Sequence, residues 1–213
     1  MAWCKDITGV EAAKSGTFRS LNGAADENIF IGRASKAGFY CFFKAWRDMQ
    51  YDAVLDYNGI LYRVEVKGSS NSQFNVTRGT RSGKQIKKGA SRTRLLSRED
   101  CDFVVGVDSN IGNCYIIPED IIQIIGNKNL SYATLQNYKE KWKLLMFSKN
   151  FLTKKQTRDG LYSTSYETLL KLATKLGITV PTTSIKVPGT NRQIDNDREK
   201  LIYLIWEEIA KKL

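Results

Sequence analysis

Two runs of alternating apolar and polar residues flank Asn58-Gly59 in the stretch from Tyr51 to Ser70. A two-residue type I′ turn needs positive φ at both central positions, and Asn-Gly supplies it, so the stretch predicts a β-hairpin. With the turn at 58–59, Tyr57 faces Ile60, Asp56 faces Leu61, Val54 faces Arg63 and Asp52 faces Glu65. Side chains alternate faces along a strand. One face then carries Ala53, Leu55, Tyr57, Ile60, Tyr62, Val64 and Val66. The other carries Asp52, Val54, Asp56, Leu61, Arg63, Glu65 and Lys67.

The remaining pattern predicts further elements. Ala24 to Ala37 reads as a helix closed by Gly38, with Glu27, Phe30, Ile31 and Ala34 on one face. Phe39 to Lys44 reads as a buried strand, and Ser72 to Thr77 as another. Asp102 to Val107 and Cys114 to Ile117 are expected strands around a turn at 109–113. Pro118 fits the first turn of a following helix. Tyr132 to Met146 is an expected helix with Ser131 as its N-cap. Thr164 to Leu176 is expected to be helical, with Thr164 and Glu167 spaced as a capping box and Gly177 closing it. Asn196 to Leu213 predicts an amphipathic helix. Its stripe of Ile202, Ile205, Trp206, Ile209 and Leu213 serves either the core or a dimer contact.

Charge and residue usage narrow the chemistry. The chain has 213 residues, enough for one large domain or a core domain with a small appendage. Its net charge of +11 favours a polyanionic partner, nucleic acid ahead of an anionic membrane surface. Histidine is absent, which excludes imidazole bases and ligands. Hydrolysis by this chain must use carboxylates, lysine and a metal. Cys4, Cys41, Cys101 and Cys114 form no C-x-x-C, so reduced, buried thiols are expected rather than zinc ligands. There is no secretory signal pattern, and no run approaches the roughly 20 apolar residues of a membrane helix. A cytoplasmic protein, prokaryotic or of a phage-infected cell, with no membrane partner, is the expectation.

The polar face of the hairpin sets Asp52 opposite Glu65. Like charges in such a pair are destabilising. A divalent cation would compensate them, and Lys67 is near enough to join. Oxygen ligands suit Mg²⁺, usually held by one or two carboxylates, waters and a substrate phosphate. The bland alternative is an exposed hairpin with scattered charges. Glu27 lies on the apolar stripe of its helix. There it is either a first-turn carboxylate favoured by the helix dipole or an acid that must meet a cation or donor. The run from Arg78 to Arg94 carries Arg78, Arg81, Lys84, Lys87, Lys88, Arg92 and Arg94 and no acid. It is either a solvated loop or, as the repulsion among its charges favours, a phosphate-contacting one.

Glu27, Gly38-Phe39 closing its helix, then Asp52, then Glu65-Val66-Lys67 resemble the PD-(D/E)XK nuclease superfamily. The spacing is similar to archaeal Holliday junction resolvases and to intron-associated homing endonucleases of that superfamily. The proline usual before the aspartate is replaced by Tyr51. The resemblance covers Ala24 to Ser70 well and Asp102 to Ile122 loosely. It implies an α/β, restriction-endonuclease-like core, a central mixed β-sheet flanked by helices. The chain's own pattern divides it into that core over 1–146 and a mainly helical C-terminal extension over 147–213, for recognition or dimerisation. The resemblance also implies that Asp52 and Glu65, aided by the Val66 carbonyl, hold Mg²⁺, for which Mn²⁺ can substitute. Lys67 would orient or deprotonate water, and Glu27 would assist a second metal or the water. The implied activity is Mg²⁺-dependent hydrolysis of double-stranded DNA by a site-specific endonuclease of restriction or homing type. One active site cuts one strand, so a duplex break calls for a homodimer or higher homo-oligomer. A structure-specific junction resolvase and an inert DNA-binding module are the alternatives.

Overall fold

The computed structural model describes residues 16–44, 49–79, 93–149 and 159–212. Helix α1 (Gly16–Lys36) precedes strand β1 (Tyr40–Phe43). The hairpin follows as β2 (Ala53–Tyr57) and β3 (Ile60–Ser69). Two short pairs come next: β4 (Gln73–Asn75) with β9 (Asn129–Ser131), and β5 (Thr77–Arg78) with β6 (Arg94–Leu95). Strands β7 (Phe103–Asp108) and β8 (Cys114–Pro118) complete a five-stranded sheet of order β1-β2-β3-β7-β8. That sheet is mixed: β3 and β7 run parallel, and the other neighbours are antiparallel. Helices α2 (Glu119–Ile125), α3 (Tyr166–Leu176) and α4 (Asp197–Lys212) follow, with the small hairpin β10 (Ile185–Lys186) and β11 (Gln193–Ile194) between the last two.

The hairpin register is the predicted one, with Tyr57 opposite Ile60, Asp56 opposite Leu61 and Val54 opposite Arg63. Asn58 (φ 53°) and Gly59 (φ 76°) take the positive dihedrals of the turn. Ala53, Leu55, Tyr62, Val64 and Val66 are buried on the apolar face. There Phe30 and Ala34 of α1 join the same core. The Phe103 and Trp206 rings, 6.3 Å apart and edge-to-face, tie the sheet to α4. On the opposite face Phe74 stacks on Tyr132, with ring centroids 4.8 Å apart.

Several elements depart from the pattern. Helix α1 begins at Gly16, well before Ala24. Strand β1 is not buried: it is the sheet edge, and Tyr40, Phe42 and Phe43 are exposed. Pro118 ends β8, paired with Phe103, and is at the same time the N-cap of α2, one residue ahead of its first turn. No α-helix forms over 132–146. Ser131 Oγ does accept from the Thr134 amide (3.1 Å), as a cap would. The chain then passes through 3-10 turns at Gln136–Tyr138 and Trp142–Lys149. Between them Glu140 sits at φ 56°, outside helical space, held by Arg33, the Trp142 indole and the Cys114 amide. Tertiary hydrogen bonds thus override helix propensity. Helix α3 is capped by Ser165, whose Oγ accepts from the Thr168 amide (3.3 Å), rather than by a Thr164 capping box. Ile202, Ile205, Trp206 and Ile209 of α4 are buried core, so this stripe is not a free dimer contact. Cys41, Cys101 and Cys114 are free thiols, the latter two buried.

Candidate active site

Three elements converge on the polar face of the hairpin: the end of β1, the start of β2 and the middle of β3. Asp52 lies just before β2, where its amide donates to the Val64 carbonyl (2.9 Å) and continues the ladder by one residue. The residue is only 8% exposed. One carboxylate oxygen accepts from the Lys44 ammonium, the other from the Val66 amide (2.9 Å). Glu65 accepts from Lys67 Nζ at 2.6 Å. The two opposed carboxylates are therefore each met by their own lysine.

Burial pushes the Glu65 carboxyl above its ordinary value; Lys67 and Lys44 counter this, and Asp52 adds to it. Burial also raises Glu27, again with Asp52 adding to it and Lys44 and Lys67 opposing. Lys44 is held above the usual lysine value: burial alone would lower it, but the Asp52 carboxylate, Glu27 and Glu65 outweigh burial. Glu27 and Glu65 both feel Asp52, Lys67 and Lys44, so Glu27, Asp52, Glu65 and Lys67 form one electrostatic cluster. Lys44 belongs to it too, and the sequence did not mark it. The sum of the β1–β2 register, Tyr40 with Asp56 and Phe42 with Val54, puts residue 44 beside residue 52. The signal was the pairing of β1, which the unbroken YCFF run hides because it has no alternation.

Asp26 is a second residue that pattern reading missed. It is 6% exposed, its pKa raised by burial against a hydrogen bond with Ser109. It lies directly over Gly68, where an added Cβ would fall 1.6 Å from Oδ2. The missing side chain at 68 lets α1 approach β3 and bring Glu27 to the cluster.

Among the described residues, no three His, Cys, Asp or Glu side chains gather closely enough to enclose a metal by themselves. Mg²⁺ needs no such cage, since one or two carboxylates with waters and a phosphate suffice. The oxygen-only donors of Asp52 and Glu65, beside the Val66 backbone, fit that hard cation in type.

The basic segment is seen only at its ends. Arg94 forks onto Asp100 (2.5 and 2.8 Å) and Arg78 reaches the same carboxylate at 3.2 Å. Asp100 is fully buried, and although burial alone would raise its pKa, the Arg94 fork and Ser97 hold it low. These two arginines brace the stem formed by β5 and β6. Arg81, Lys84, Lys87, Lys88 and Arg92 lie outside the described residues.

A solved structure, that of the bacterial homing endonuclease I-Ssp6803I, superposes on 66% of this chain and 97% of its own, with a TM-score of 0.52 and 21% sequence identity. The two share a fold. No protein-family model matches the sequence, and no curated protein matches it. Among the described residues no helix is long and apolar enough to cross a membrane.

Proposed function

We propose that this chain is a Mg²⁺-dependent endonuclease that hydrolyses phosphodiester bonds in double-stranded DNA at specific sites. The observation that carries the reading is the cluster of Asp52, Glu65 and Lys67 on one face of the hairpin with Glu27 of α1 beside them, in a fold shared with an endonuclease. The net charge of +11 agrees with a polyanionic substrate. Asp52 and Glu65, with the Val66 carbonyl, would hold the cation. Bound there, Mg²⁺ would supply charge neutralisation at the phosphate and a more acidic water. Lys67 Nζ, which donates to Glu65 here, would orient the attacking water as an ammonium or, once neutral, take its proton. Glu27 would align that water from the helix side. The loop between β5 and β6 would track the DNA backbone. One site cuts one strand, so a duplex break calls for two sites related by symmetry, in a homodimer or higher homo-oligomer.

The test is cleavage of a random linear duplex library and a four-way junction, side by side, with Mg²⁺, Mn²⁺, Ca²⁺ or chelator. Site-specific duplex cutting with Mg²⁺ or Mn²⁺ is expected, and binding without turnover with Ca²⁺. Asp52→Asn and Lys67→Ala should each abolish cutting and leave DNA binding largely intact. Asp56→Asn is the control: Asp56 accepts from the Gly59 amide (2.9 Å) at the turn, roughly 13 Å along the strand from Asp52. Cutting of junctions alone would make the protein a resolvase. Robust cutting in chelator, or by the Asp52 and Lys67 variants, would defeat the mechanism.

A further inference from the structure

The paired strands β4 and β9 carry a second surface. Gln73 is opposite Ser131, Phe74 opposite Leu130 and Asn75 opposite Asn129. Phe74 and Leu130 are fully buried, so the alternation turns Gln73, Asn75 and Asn129 outward, and all three are exposed. Asn127 and Lys128, also exposed, extend the same edge. No acidic residue occurs within 71–78, 93–95 or 127–131, although the chain has 22. The surface is built of amides with little charge, and it borders both ends of the basic loop.

Its members are not equivalent. The Asn75 amide nitrogen donates to Asn129 Oδ1 (3.1 Å), and its oxygen accepts from the Thr77 amide (3.1 Å) and hydroxyl (2.5 Å). Asn75 is thus a positioning residue that fixes the Asn129 amide, whose nitrogen donates to no described residue. Gln73 makes no side-chain hydrogen bond to any described residue, so both its donor and its acceptor are available.

The mounting is rigid. Phe74 lies on Gly106, where a Cβ would come within 2.4 Å of the ring. Gly106 is the ladder partner of Lys67. The amide surface is therefore seated on the strand position beside the candidate catalytic lysine.

We infer that β4 and β9 form a base reader that enters the DNA major groove, with Gln73 and Asn129 contacting adenine. This rests on the proposed endonuclease reading and adds how the site is chosen. A two-stranded ribbon fits the major groove, about 12 Å wide. Three-residue strands are about 10 Å long. An amide is the side chain that matches adenine, accepting from N6 and donating to N7. Acid-free surroundings avoid repelling the phosphates that flank the groove. Gln73 is six residues past Lys67, at most about 20 Å of extended chain. At 3.4 Å per base pair, the base read lies within about six base pairs of the cut.

The experiment is selection from a random duplex pool by the full-length protein in Ca²⁺, repeated with Gln73→Ala, Asn129→Ala and Gln73→Glu. The wild-type protein should enrich an adenine within about six base pairs of its cut. Each alanine variant should lose about tenfold or more of that preference, while keeping its melting temperature, its affinity for unselected duplex and its salt dependence. Gln73→Glu should move the preference towards cytosine, whose N4 donates to a carboxylate. Replacing the enriched adenine with 7-deazaadenine should weaken wild-type binding and leave the Gln73→Ala or Asn129→Ala protein that reads it unchanged. If wild type enriches a sequence and all variants enrich it equally, the reader is elsewhere and this inference falls while the endonuclease reading stands. Duplex binding with no preferred sequence has the same consequence. If the protein binds no duplex at all, the endonuclease reading itself fails.

Discussion

Lys44 holds the carboxylate of Asp52, a residue only 8% exposed. Replacing Lys44 with methionine keeps the length of the side chain and removes the charge. Asp52 then retains the Val66 amide and faces Glu65 without its cation, which should cost about 2 kcal/mol. Mg²⁺ should restore much of that loss by taking the place of the ammonium. Thermal melts with and without Mg²⁺ test this: a deficit that Mg²⁺ does not reduce would place the metal elsewhere. A second buried acid has a measurable pH signature. Burial, with Asp120 beside it, pushes the Glu119 carboxyl up to about 7, against the pull of Arg98. A raised carboxyl contributes stability that is complete below its unfolded pKa and is lost as pH rises through the folded value. The window therefore runs from about 4.5 to about 7. Glu119→Gln should flatten the stability profile across that window and raise the melting temperature at pH 8. Denaturation midpoints at pH 5 and pH 8 would check it, and an unchanged profile would refute the assignment.

Helix α1 and strand β3 meet through a glycine. Gly68→Ala would drive a methyl into the Asp26 carboxylate, so the helix must move outward and take Glu27 with it. A cost of about 1–3 kcal/mol is expected, with cleavage falling further than binding; urea titration and single-turnover rates would show both. The hairpin was legible because Asn58-Gly59 sets a register and a strict alternation sets the faces. Glu65 and Lys67 followed from that register, and Asp52 from its continuation by one residue. Asp26 and Lys44 were not legible, because their neighbours come from other elements: Gly68 and Ser109 for one, the pairing of β1 for the other. The expected helix over 132–146 failed for the same reason. Its cap is real, but the bonds gathered by Glu140 lie on α1 and β8 and are invisible to local propensity. Of the aromatic run at 39–43, Phe39 is core, but the strand at 40–43 proved to be an edge, since hydrophobicity alone does not distinguish a central strand from the last one in a sheet.

At the scale of the whole molecule the proposed phosphate contacts fall in the basic segment. Arg78 and Arg94 are braced on Asp100, so these contacts are assigned to the lysines between them, which lie outside the described residues. Replacing Lys84, Lys87 and Lys88 with alanine should weaken duplex binding similarly on every sequence. It should also flatten the log-log salt slope by roughly 0.9 per lost phosphate contact. An unchanged slope would move the contact elsewhere, with the lysines at 139, 141 and 143 next in line. Sedimentation with and without DNA tests the proposed homo-oligomer, and a strict monomer that breaks both strands in one encounter would contradict it. The buried thiols give the molecule a built-in clock. Cys101 lies fully buried just ahead of β7, and Cys114 at the start of β8; burial pushes the Cys114 thiol up to about 12 and Cys101 higher still. Alkylating reagents attack the thiolate, so neither sulfur reacts while the sheet is closed. The rate at which they are labelled therefore counts how often the central sheet opens, strand by strand, with no engineered reporter residue.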